Sequence, residues 1–406
     1  MQFGLSLPPQ MRVYGGFFVY SFTMGSLPPR LPDIQRAMGV AEGALGFGLI
    51  GGAVGTLISL TFAAPLLERI GYRRAILGLI PALALLYALA TFATGPLAFF
   101  LLLLPVGLLI GCIEIILNLE ADRTEHLVGR RIMNRAHAFW SFGFFASGIV
   151  SAVIAQTHLA PQVHLLLMVP VVALGVAVVL GRFNPAPART GGNTDAAPRF
   201  AAPSSGILVL VAVTLSAMIL EGAGIDWSAI YMRDIFDVSP FIAGFAVALG
   251  AGTQALTRFF ADSFVERYSP TAVSRVLLGV LGVGTLIVFF TQSDWLALVG
   301  FALMGIGTSV IFPLAMSAAA QRTDRPAAYN VAALAQTSFV AFLLGPPLLG
   351  FIAEHWGIRW SFGIGLPLIV LSFALAQSLG RKPIPHTPEP DGIAVIPPAA
   401  QFKPDA

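Results

Sequence analysis

The sequence is poor in charge and nearly devoid of cysteine. Asp, Glu, Lys and Arg make up 11% of its 406 residues, and Cys112 is its one cysteine. A single thiol excludes a disulfide framework or a cysteine metal cluster. So little charge, against 56% hydrophobic residues and a mean hydropathy of +0.83, excludes an ordinary soluble domain, which could not build a water-facing surface from it. No basic stripe is interleaved with aromatics, so nucleic acid is not an expected partner. Also missing are a G-x-S-x-G turn, a phosphate-cradling Gly-rich loop, and His and carboxylates at metal-ligand spacing, so neither an enzyme nor a cofactor or metal is expected. The start, MQFGLSLPPQMR, lacks the basic flank and small-residue cleavage site of a secretory signal.

What the chain has instead is a succession of apolar runs of about 20 residues, the length that crosses a bilayer as a helix. Charged and Pro-rich punctuation places them at 12–31, 44–67, 75–95, 97–120, 135–156, 163–181, 206–228, 241–261, 272–291, 295–320, 330–353 and 360–380. The expectation is an all-α polytopic membrane protein with twelve transmembrane helices. With the N-terminus in the cytoplasm, nineteen of the 23 Lys and Arg residues fall on that side, leaving Arg30, Arg36, Arg233 and Arg359 on the other. This asymmetry predicts an inner-membrane protein with both termini cytoplasmic.

The long hydrophilic interruption, Arg182 to Ser205, is rich in Pro, Ala, Gly and Ser and reads as a cytoplasmic linker. It divides the chain into a six-helix bundle over 1–181, the linker 182–205, a second bundle over 206–380, and a Pro-rich disordered tail over 381–406. The halves carry an internal repeat. The segment from Gly46 to Arg69 lies 198 residues before the one from Gly244 to Arg267, with Gly-Phe at both starts and Glu-Arg at both ends. Parallel six-helix repeats imply alternating access, the halves rocking about a central site.

The stretch LERIGYRR, Leu67 to Arg74, resembles the loop signature G-x-x-x-D-R-x-G-R-R of the major facilitator superfamily, with Glu68 at the Asp place, then Arg69, Gly71, Arg73 and Arg74; the leading Gly is Ala64. The resemblance implies that the loop carboxylate pairs with Arg in one conformer and releases it in the other. The corresponding segment of the second half holds Arg258 and Asp262, spaced i, i+4 for pairing on one helix face. The bland alternative is an ordinary basic loop.

Within that superfamily, GCIEIILN, Gly111 to Asn118, resembles G-C-L-E-x-x-x-N of the fucose-permease-like branch, and NRAHAFWSFG from Asn134 and SVIFP from Ser309 resemble its fifth- and tenth-helix motifs. The resemblance implies a proton-coupling role for Glu114, with Asn118 one turn away on the same face. It also shows a departure: Pro28 stands where the branch has a cavity Asp, and His137 and Trp140 replace two sugar-facing polar residues. A carboxylate at membrane depth costs at least roughly 2.5 kcal/mol and usually faces a cavity. Glu114 thus suits a proton carrier; a static interhelical hydrogen bond is the alternative.

In the seventh span, Glu221 is the candidate for a second proton-coupling group. Asp226 and Trp227 lie nearer its far end, where a helix cap and an interfacial aromatic explain them as well. Candidate solute-binding residues are Asn118, His137, Trp140, Gln254, Asn330 and Gln336, each also explicable as helix packing or interhelical hydrogen bonding. The expected function is proton-coupled uptake of a small polar, sugar-like solute by a monomer. The rival is proton-coupled export of a metabolite or amphipathic drug, which an aromatic-lined cavity would favour.

Overall fold

The computed structural model describes residues 4–130, 132–187 and 201–380, without the side chains of Asn134, Asp262, Ala341 and Phe342. Most of the linker and the whole tail lie outside the described residues. The first half comprises α1 (Pro9–Met24), α2 (Leu31–Met38), α3 (Glu42–Phe62), α4 (Ala64–Ile70), α5 (Tyr72–Ala90), α6 (Pro96–Val128), α7 (Met133–Gln156) and α8 (Pro161–Leu180). The second comprises α9 (Ser205–Asp226), α10 (Ser228–Phe236), α11 (Pro240–Arg267), α12 (Pro270–Phe290), α13 (Asp294–Thr308), α14 (Ile311–Ala320), α15 (Ala327–Trp356), α16 (Ile358–Gly363) and α17 (Gly365–Leu375).

These make twelve membrane crossings in two six-helix halves. Eleven of the described segments are long and apolar enough to span. The other, α1, has 16 residues, a rise of roughly 24 Å, and is continued by a 3₁₀ turn at Pro28–Arg30 that leads into α2.

Local chemistry sets many of the boundaries. Proline occupies the first helical position of α1, α6, α8, α11 and α12, where its missing N–H costs nothing. Ser204, Ser239 and Ser269 cap α9, α11 and α12 by accepting the N–H three residues on. Gly71 turns the chain between α4 and α5 at φ +86°, a conformation in which a side chain would be strained.

Several spans differ from the sequence expectation, among them the fourth, the seventh and the tenth. The fourth, expected to end at 120, continues as α6 to Val128, because LEADRTEH is a good helix former whose charges can extend beyond the bilayer. The seventh breaks at Trp227 and the tenth around Ser309–Val310. Pro313 accounts for the second break: it has no N–H to donate to the carbonyl of Ser309, four residues back.

The halves meet along two seams, α3 against α15 and α7 against α11. The repeated glycines lie on them. A Cβ on Gly46 would sit 2.5 Å from the Pro346 carbonyl oxygen, and one on Gly244 would sit 2.9 Å from the Ala152 Cβ. Only glycine allows these approaches without a shift.

Four hydrogen bonds tie the halves at the end away from the termini. Arg233 donates to the Pro32 carbonyl and to Gln35 Oε1, both at 2.9 Å. The Gly43 N–H donates to Glu354 Oε2 and the Phe241 N–H to Gln156 Oε1, both at 3.1 Å.

Candidate functional site: a carboxylate-lined cavity between the halves

A cavity of about 560 Å³ lies between the halves, within the range of small-molecule sites. Its lining includes Tyr20 of α1, Thr56 of α3, Tyr87 of α5, Glu114 and Asn118 of α6, Trp140 and Phe144 of α7, Glu221 and Asp226 of α9, and Phe339 of α15. Glu114 and Glu221 therefore face one space from opposite halves.

Asn118 Nδ2 donates to Glu114 Oε2 and to the Glu114 carbonyl, both at 2.9 Å. The one-turn spacing thus becomes a contact that orients the carboxylate. Tyr20 is fully buried beside Glu114, and its hydroxyl interacts with that carboxylate. Tyr87 neighbours Tyr20 on one side and Asp226 on the other.

Glu221 Oε1 lies 3.5 Å from Arg258 Nη2. Arg258 also donates through Nε to the Ser309 carbonyl at 2.8 Å and through Nη1 to Ser141 Oγ at 3.3 Å. The first of these takes up the carbonyl that Pro313 leaves unpaired; the second crosses between the halves. The expected Arg258–Asp262 pairing on one helix face falls on a side chain outside the described residues. Arg258 lies nine residues inside the end of α11, and its fork engages α9, α13 and α7.

Trp140 stacks on Phe144 with centroids 5.6 Å apart, and its Nε1–H has no partner among the described residues. Its neighbour in sequence, His137, packs against Phe17 at 5.1 Å and does not line the cavity. Gln254 donates to Thr308 Oγ1 at 3.3 Å and borders a smaller adjoining pocket shared with Glu221 and Trp140.

Asn330 and Gln336 are not in the cavity lining. Asn330 donates to Asp324 Oδ1 at 3.0 Å and to the Arg325 carbonyl at 3.3 Å, and Gln336 Oε1 accepts from the Ala201 N–H at 3.0 Å. Both brace the end that carries the linker. There Arg322 hydrogen-bonds Asp324 through two nitrogens and holds its carboxyl well below the usual range, with Asn330 and Ser204 assisting.

In the loop LERIGYRR, Arg73 donates to the carbonyls of Gly181 and Phe183, both at 2.7 Å, closing the end of α8. Glu68, Arg69 and Arg74 are exposed, and Glu68 forms no ion pair among the described residues. Pro28 does line the cavity. Asp226, a carboxylate of the other half, lines the same cavity. The signal for Asp226 was present, a carboxylate at the end of an apolar span, but it read equally as a cap. Trp227 is fully buried, not interfacial.

Residues 209–401 match the model of the Major Facilitator Superfamily. The chain is 30% identical over 365 residues to an uncharacterized transporter of Sinorhizobium fredii, covering 88% of this chain and 94% of the relative. It is 27% identical over 371 residues to an uncharacterized MFS-type transporter of Yersinia pestis, covering 90% and 94%. Among solved structures, the nucleoside transporter NupG superposes with a TM-score of 0.66 at 13% identity, covering 92% of this chain and 98% of that one. The D-xylose-proton symporter gives 0.68 at 14% identity, covering 91% and 97%. The transporter FucP in its outward conformation gives 0.59 at 16%, covering 92% and 99%. At these identities the structural likeness is one of fold.

Proposed function

The chain belongs to the major facilitator superfamily and is a membrane transporter, and we propose that it moves a small solute by alternating access, coupled to protons through Glu114 and Glu221. The observation that carries this is their meeting in one cavity between the halves. Carboxylates there can take a proton from one side of the membrane and yield it to the other as the halves rock.

The charge asymmetry supports an inner-membrane protein with cytoplasmic termini. In that orientation the four ties lie on the external face, and the conformer is closed to the outside. Arg258 to Ser141 is the tie nearer the cytoplasm and acts as the inner gate.

Symport of a sugar-like solute is the reading that the fourth-helix motif supports, with Asn118, Glu221 and Asp226 as polar anchors and Trp140 as a stacking surface. The second reading, proton-coupled export, is favoured by the lining itself: five aromatic rings against one amide.

The test is proton movement in proteoliposomes on addition of pools of sugars, polyols, organic acids and amphipathic amines, with Glu114→Gln in parallel. Solute-evoked proton flux lost in the variant is the expected result. Labelled-solute counterflow with no proton movement in either protein would make this a facilitator and Glu114 structural.

A further inference from the structure

The geometry points to an organic cation as the transported solute: an ammonium group on a ring-bearing or apolar body, its charge held between Glu114 and Asp226 and its body against Trp140 and Phe144. This rests on the reading above, that the central cavity is the transport site.

Charge is the first argument. The cavity lining holds three carboxylates and, among the described residues, no Lys, Arg or His. Glu221 has Arg258 at 3.5 Å, but neither Glu114 nor Asp226 is in an ion pair among the described residues. An anionic solute entering this space would meet like charge with no counter-charge, at low dielectric. A cation would supply the partner that the two carboxylates lack.

The second argument is the donor inventory. A polyhydroxylated or anionic solute needs several donors, yet the lining amide, Asn118, already donates to Glu114. The Tyr20 hydroxyl is engaged with Glu114, and the Trp140 indole N–H is without a partner among the described residues. Few free donors beside three carboxylates suit a cation, which asks no donor of the wall, better than an anion or a sugar.

The third argument is the walls. Tyr20 neighbours Glu114, Tyr87 neighbours Asp226, and Trp140 stacks on Phe144 in the same lining. Ring faces attract a cation through their quadrupole, most strongly when desolvated, and attract its apolar body by contact. Carboxylates joined by aromatic faces are complementary to a cation with a hydrophobic surround. They are poorly matched to a neutral sugar, which would leave both charges uncompensated.

The test is equilibrium binding of radiolabelled tetraphenylphosphonium to the purified full-length chain, with four competitors: benzyltrimethylammonium, its uncharged carbon analogue neopentylbenzene, benzoate and fucose. The expected result is saturable binding displaced by benzyltrimethylammonium and not by the other three. Asp226→Asn should weaken it by about tenfold or more, the loss of one charge-assisted contact. Asp226→Glu restores the charge and should restore binding, which separates lost charge from lost folding.

No saturable binding, equal displacement by the uncharged analogue, benzoate or fucose, or binding indifferent to loss of both Glu114 and Asp226 charge would each overturn the inference. Proton flux evoked by a non-cationic solute, with no cation binding, would leave the transport reading standing and remove this one. Cation binding without flux of solute or protons would leave a cation site but remove the transport reading, and with it the cation as transported solute.

Discussion

Arg258 concentrates more of the site's polar bonding than any other residue near the cavity. Its guanidinium holds Glu221, the Ser309 carbonyl and Ser141 on three different helices, a use of the planar fork that lysine cannot reproduce. Removing one partner of such a partly buried group leaves the other less well compensated. Arg258→Ala and Glu221→Gln should therefore each lower stability by about 1–3 kcal/mol, and the double variant by less than their sum. Thermal melts of the four proteins check this; strict additivity would mean that the 3.5 Å approach carries no coupling. The i, i+4 spacing suggested that Arg258 pairs with Asp262, because spacing reports a shared helix face. It does not report that an arginine two turns inside the helix end can reach across to another helix. Glu114 with Asn118 was legible for the opposite reason: the contact lies within one helix, where the spacing is the geometry. Asp226 and His137 exchanged expectations because only the arrangement of neighbouring helices decides whether a polar residue faces the cavity or packs on Phe17.

At the scale of elements, the seams α3 against α15 and α7 against α11 govern how closely the halves approach. The internal repeat marks both in the sequence: Gly46 and Gly244, 198 residues apart, lie one on each seam. A Cβ at Gly244 meets the Ala152 Cβ at 2.9 Å and the Pro29 Cβ at 3.0 Å, below ordinary contact. Gly244→Val should therefore push α11 from α7, disfavour the conformer tied by Gln156 and Phe241, and slow transport. Adding Ala152→Gly should recover part of the rate, and transport in proteoliposomes reads both. No change in Gly244→Val would mean that this seam does not close tightly in the working protein. The breaks within spans were less legible. The tenth span interrupts at Ser309, four residues before the proline that causes it, and is completed by an arginine from another helix. In the seventh, the interruption at Trp227 has no proline to announce it.

For the whole molecule, the number of crossings and their division into halves could be read from the sequence, because both rest on composition over tens of residues. The conformer could not, since spans apolar on nearly every face give no period from which to choose a packing face. The four ties at the end away from the termini define this conformer, and alternating access requires them to break in every cycle. A covalent tie at the same place should therefore stop turnover without closing the cavity to the other side. Replacing the one cysteine, Cys112→Ser, provides a thiol-free background. Gln156→Cys with Phe241→Cys then puts two thiols where a side chain and a backbone N–H now meet at 3.1 Å. Oxidation should abolish flux, reduction should restore it, and radiolabelled tetraphenylphosphonium should still bind the oxidised protein in detergent. Undiminished flux through the cross-linked protein would mean that the solute's path does not require this end to open, and the rocking of the halves would have to be replaced by a local gate.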